Sequence, residues 1–279
     1  MSALKSFVVL AYLITWVLLA PFFYVFNIVL HRELQWWLWF MVPFAFVGGC
    51  GPSVAALIVA YQTEGRPGVR RLLGRLVLWR VHVFWYVAAL LVPPLATALS
   101  VLIADRGFST LRHFDPVAVL AALPLAYALA LPFGPFGEEL GWRGFALPRL
   151  LERFNPSLAS IILGCLWTFW HVPMMLFMPG AALPDFMELS ARSVAIYLAQ
   201  ITAITAFMTF LFLRTRGSVL LAVLAHLAFN TAESVLFAGL PELPSGHVRN
   251  IYLVNVAVLG GIGVASLFAL RSTTERPIF

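Results

Sequence analysis

Eight apolar runs account for most of this chain: residues 6–30, 36–61, 81–104, 116–137, 157–178, 192–213, 218–238 and 251–271. A helix needs about 20 apolar residues to cross the hydrocarbon core of a bilayer, where every backbone polar group must be bonded within the protein. The runs therefore predict an all-α fold: a polytopic membrane helix bundle of about eight transmembrane helices. Composition agrees, with 62% hydrophobic and only 11% charged residues, against about 25% charged in a soluble domain. The connections are short, so residues 1–279 read as a single integral membrane domain without an internal repeat or a low-complexity tract. The first run stays apolar from Lys5 through Val29 and Leu30, longer than the core of a signal peptide, and reads as a first helix.

The formal net charge is +6, but the basic residues sit in short loops and form no polar domain, which excludes nucleic acid as a partner. They act instead as topology signals. Thirteen of the 18 lie on one side, leaving Arg32, Arg106, Arg112, Arg192 and Arg249 for the other. The positive-inside rule then predicts both termini in the cytoplasm. Residues 66–80 mix arginines with Leu, Val and Trp79, which predicts a helix lying in the cytoplasmic interface. Residues 145–154 carry Arg149, Glu152 and Arg153 beside Leu150, Leu151 and Phe154, and read the same way. Asn155-Pro156 suits the first turn of the span that follows. Cys50 and Cys165 fall within apolar runs and lack the spacing of a Cys-based metal site, so they read as small packing residues.

Against this background the string Glu138-Glu139-Leu140-Gly141-Trp142-Arg143 stands out. Charge at membrane depth is costly and marks ion pathways, proton transfer or catalysis. Neighbours on a helix point about 100° apart, so Glu138 and Glu139 cannot share one role. Glu139 and Arg143 are four apart with the acid N-terminal, the favourable order for an ion pair. Glu138 is then left to project elsewhere, and a poorly solvated carboxylate there suits a general base. Two later runs add His171, on one face with Trp167, and His226, on one face with Asn230. The latter pair could donate to an oxyanion. Pro173 removes a backbone donor just after His171, predicting a bend there. Each motif alone has a plainer reading: interfacial carboxylates, a packing histidine, and a hydrogen-bonded pair joining helices. Together they make a hydrolase constellation. Glu233, one turn past Asn230, fits either a supporting position or a helix end.

Depth poses a geometric problem. Glu138 falls at the cytoplasmic end of its run, while His226 is about 12 Å and His171 about 21 Å into theirs at 1.5 Å per residue. Straight helices cannot bring the three together. Pro132, Gly134, Pro135 and Gly137 predict a break that lets the glutamate segment sink into the bundle.

Glu-Glu-x-x-x-Arg, then aromatic-x-x-x-His, then His-x-x-x-Asn on successive spans resembles the CPBP family, the CaaX-protease and bacteriocin-processing (ABI) group of intramembrane proteases. The resemblance covers about residues 116–240. By similarity to the type II CaaX prenyl endopeptidase, it implies that Glu138 and His171 activate a water while His226 and Asn230 hold the oxyanion. Glu139 and Arg143 then shape the site or contact substrate. Where the family often has Phe, this chain has Trp167, for which a packing difference is expected. Family members are often labelled metalloproteases. There is no His-Glu-x-x-His here, and the same atoms cannot easily be both metal ligands and base or oxyanion donors. No cofactor is favoured. If zinc were bound, Glu138, His171 and His226 would be its ligands.

The leading expectation is an endopeptidase of a bacterial or archaeal plasma membrane, its active site opening to the cytoplasm. Its substrate would be a membrane-associated protein or peptide, lipidated ones included. Two other readings fit the residues: a non-proteolytic partner-binding or bacteriocin self-immunity protein, and a transporter using Glu and His as a proton relay.

Overall fold

A computed structural model describes residues 2–24, 48–104, 114–177, 183–184, 187–240, 243 and 245–271. Its elements are α1 (Ala3–Tyr24), α2 (Gly51–Gly74), α3 (Val83–Ala104), α4 (Pro116–Phe133), α5 (Pro135–Glu139), a π-helical stretch (Leu140–Ala146), α6 (Leu147–Leu151), α7 (Pro156–Trp170), α8 (Val172–Phe177), α9 (Ala191–Arg214), α10 (Val219–Ala238) and α11 (Ser245–Arg271). A single-turn 3-10 helix, Arg75–Val77, follows α2. The protein is a helical membrane bundle. Five described helical runs are long and apolar enough to cross a bilayer: Val83–Ala104, Pro116–Leu151, Ala191–Arg214, Val219–Ala238 and Gly246–Leu270. Ala3–Leu19 and Pro156–Trp170 are shorter apolar helices. The expected span 36–61 lies outside the described residues up to position 47.

Helix starts follow local chemistry. The Asp115 carboxylate accepts from Val117 N at 2.8 Å and Ala118 N at 3.2 Å, with Pro116 in the first turn of α4. The Asn155 side chain accepts from Leu158 N at 2.9 Å ahead of α7, as the Asn-Pro pair predicts. Ser190 and Ser193 form a reciprocal capping box at α9. None of the described side chains of α4 is buried, and Val117 and Leu120 are about 70% exposed. Such a surface suits lipid rather than water.

Two predictions about the cytoplasmic interface fare differently. Gly65, at φ 64°, breaks α2 between its span and its arginine-bearing part, so a helical segment does begin at residue 66. It ends earlier than residue 80, passing through the 3-10 turn into non-helical backbone. Residues 145–154 are not an interfacial helix. Phe145, Leu147 and Leu150 are fully buried, and only the end of the segment is exposed. The reason is aromatic packing: Phe145 lies 5.1 Å from Phe7 of α1, and Phe7 meets Trp142 edge-on at 5.4 Å. Glu64 ties the two regions together, bonding Arg71 and, at 2.6 Å, Arg149.

α10 sits at the centre, packed against α3, α4, α5 and α9, while α9 also packs on α7 and α11. α2 packs on α1 and on the π-helical stretch. Both cysteines are free and only part-buried.

Candidate active site

Two interruptions in the helices build the site. α4 stops at Gly134 (φ −151°, ψ −82°), and α5 restarts for a single turn in which Glu138 N donates to Gly134 O at 2.9 Å. The chain then widens over Leu140–Ala146, with Leu147 N–H reaching back five residues to Trp142 O. Irregular backbone at membrane depth is tolerated where protein buries it or it lines a cavity, and π-bulges recur at functional sites. α7 ends at Trp170, where His171 N donates to Thr168 O at 3.1 Å, and the separate helix α8, which carries Pro173, begins at Val172. The break expected near Pro132–Gly137 is present at Gly134, and where a bend was expected beside Pro173 the helix is interrupted at His171.

Between these breaks lies a cavity of about 420 Å³, lined by Glu138, Trp167, His171, His226 and Asn230 among others. Glu138 is buried, and the Trp167 indole N–H donates to its Oε2 at 2.6 Å. A Cβ built on Gly134 would lie 3.3 Å from both Glu138 Oε1 and Asn230 Nδ2. Those two atoms thus converge over the glycine, and its missing side chain keeps the space between them open. His171 Nδ1 is 2.8 Å from Trp167 O. A carbonyl only accepts, so Nδ1 carries the hydrogen, and Nε2 of the neutral ring is the nitrogen able to take a proton. Trp167 stands between the groups, its ring 6.0 Å from that of His171 and 4.9 Å from that of His226. The expectation of a mere packing difference at Trp167 missed this hydrogen bond, which phenylalanine could not make. The departure from the family's usual residue was the available signal.

Behind the cavity wall, Glu139 serves a different purpose. Its Oε1 accepts from Arg143 Nη1 at 2.7 Å and from His226 Nδ1 at 2.8 Å. Arg143 Nη2 donates to Thr205 Oγ1 at 3.1 Å, and the guanidinium lies 4.2 Å from the centre of the Trp167 ring. Glu139 and Arg143 are wholly inaccessible. The predicted Glu139–Arg143 pair is present, but neither residue lines the cavity. Because Nδ1 of His226 donates to a carboxylate, Nε2 accepts in the neutral ring and donates only in the imidazolium. Asn230 can donate in either case. Thr205 escaped the sequence reading, since one threonine in an apolar helix carries no signal.

The far wall of the cavity is also polar. It comprises Glu233, Gln200, Tyr252 and Asn255, with Thr97 and Pro93 of α3. Tyr252 Oη donates to Gln200 Oε1 at 2.9 Å, and Asn255 Nδ2 to Thr97 Oγ1 at 3.2 Å. Glu233, whose place the sequence left open, faces the same space as Glu138. Among the described residues no three His, Cys, Asp or Glu side chains are grouped so as to hold a metal ion. Glu138, His171 and His226 line one cavity.

Comparison with known proteins agrees with the motifs. Residues 120–232 match the family model described as type II CAAX prenyl endopeptidase Rce1-like. A curated relative, CAAX prenyl protease 2 of Methanococcus maripaludis, is 28% identical over 143 residues, covering 51% of this chain and 49% of the relative. The chain thus aligns with about half the length of that relative. Both findings support a CPBP-family protease, and the family-model match over residues 120–232 takes in Glu138, Trp167, His171, His226 and Asn230.

Proposed function

We propose that this chain is an intramembrane endopeptidase of the CaaX type, hydrolysing a peptide bond in a membrane-associated protein or peptide. The observation that carries this reading is the buried Glu138 carboxylate, gripped by Trp167 and facing one cavity with His171, His226 and Asn230. In the proposed reaction a water held by Glu138 and His171 Nε2 attacks the scissile carbonyl carbon, and its proton passes to Glu138. The carbonyl oxygen becomes an oxyanion, which accepts from Asn230 Nδ2 and from Nε2–H of His226 in its imidazolium form. Collapse of the tetrahedral intermediate breaks the C–N bond, and Glu138 returns the proton to the leaving amine. Glu139 fixes the His226 ring through Nδ1, as second partners of catalytic histidines do. No step of this scheme is routed through a metal.

The cavity would open toward the cytoplasm of a plasma membrane, following the distribution of arginines. The named relative is a CAAX prenyl protease, and a prenylated substrate is proposed here on that similarity alone. Terminal proteomics on membranes holding equal amounts of wild type or Glu138→Ala tests the reading. Peptide termini that appear only with wild type are expected. Identical termini, with both proteins folded and candidate substrates present, would remove the peptidase assignment. Cleavage is also expected to persist after exhaustive chelation. Complete loss, restored by zinc, would overturn the metal-free scheme.

A further inference from the structure

Half of the cavity's polar lining takes no part in the proposed hydrolysis. Glu233 lines it on α10, three residues past Asn230 and seven past His226, so all three share roughly one face. Among the described residues its carboxylate makes no hydrogen bond or ion pair. Glu233 is only part-buried, and with no protein partner its carboxylate is left open to a group that enters the cavity. The surrounding wall is ordered and polar, with Gln200, Tyr252 and Asn255 all under 10% exposed. The described lining contains two carboxylates, Glu138 and Glu233, against one histidine, His226, that the proposed reaction uses as an imidazolium, and no Lys or Arg, since Arg143 is held behind Trp167. Such a space favours a group bearing N–H donors or positive charge and disfavours an anionic one.

Building on the peptidase reading, we propose that Glu233 is the floor of a specificity subsite for a cationic or amine-bearing side chain of the substrate peptide. Its distance from the scissile bond follows from the helix. Along α10 the rise from Asn230 to Glu233 is about 4.5 Å and from His226 about 10 Å. An extended peptide advances about 3.3 Å per residue, so the recognised side chain lies about one to three residues from the bond that breaks. Gln200 and Tyr252 complete the wall around it.

The test is a binding panel in the Glu138→Ala background, where hydrolysis does not intervene. The probes are fluorescent, N-acylated hexapeptides that differ only in carrying Lys, norleucine or Glu, scanned through the sequence. Peptides with a suitably placed Lys are expected to bind about tenfold more tightly than norleucine peptides, an effect of the size seen for close charge pairs. Glu233→Gln should abolish that preference, and Glu233→Lys should transfer it to the Glu peptides. Equal affinity across the panel, or a Lys preference unchanged in Glu233→Gln, would overturn the subsite. The two readings fail separately. A Glu233-dependent preference without cleavage by the intact protein would keep the subsite and remove the peptidase assignment. Cleavage without any such preference would do the reverse.

Discussion

Glu138 and Glu139 are adjacent in sequence and opposite in situation. Glu139 is fully enclosed and answered by Arg143 and His226. Glu138 is equally shielded from bulk water but opens onto a cavity, held by one indole N–H. The single helical turn of α5 makes the difference by pointing them about 100° apart. A buried charge held through one oxygen by both a guanidinium and an imidazole supports the fold, whereas one facing an empty space is available for chemistry. The rest of the site divides along the same line: Arg143 and Thr205 lie on the structural side, while His171 and Asn230 lie on the cavity side.

Variants can separate the two sides. The largest change in stability should come from Glu139→Ala, which leaves Arg143 buried without its carboxylate. Breaking a buried pair in this way costs about 3–5 kcal/mol, visible as a lowered midpoint of thermal unfolding in detergent. An unchanged midpoint would dissolve the distinction. Asn230→Ala comes next and acts on rate. Losing an oxyanion donor lowers kcat by about 10²–10³, with the unfolding midpoint close to wild type. If kcat holds and only KM rises, Asn230 binds substrate rather than the oxyanion. Trp167→Phe keeps a ring beside Arg143 but removes the bond to Glu138. Hydrogen bonds to charged groups contribute about 1.5–3 kcal/mol, so cleavage should slow by about 10- to 100-fold. A neutral result would restore the packing role first expected of this residue. The smallest effect belongs to Thr205→Val, which deletes one of the Arg143 hydrogen bonds. It should cost about 1 kcal/mol of stability and leave the specificity of any cleavage untouched.

Much of this was legible in the chain because the physics was local. Apolar run length fixes which segments can span a bilayer, and four-residue spacing announces the Glu139–Arg143 pair. Pro and Gly between 132 and 137 announce the break that brings Glu138 into the bundle. What escaped depends on contacts between distant segments. The Trp167–Glu138 bond joins residues 29 apart, and Arg143–Thr205 joins residues 62 apart. The far wall draws Gln200, Tyr252 and Asn255 from two helices whose polar residues look incidental one at a time. Residues 145–154 were misread for a related reason. Their charges suggested an interface, but Phe145 finds Phe7, near the other end of the chain, and carries the segment into the core.

The most direct test of the division between the two glutamates compares the isosteric variants Glu138→Gln and Glu139→Gln, purified side by side and assayed for peptide cleavage and thermal unfolding. Glu138→Gln should keep its unfolding midpoint and lose activity by up to about 10⁴-fold, the span of general acid–base catalysis. Glu139→Gln should unfold at lower temperature. A Glu138→Gln protein that still cleaves at the wild-type rate would contradict the account at its centre.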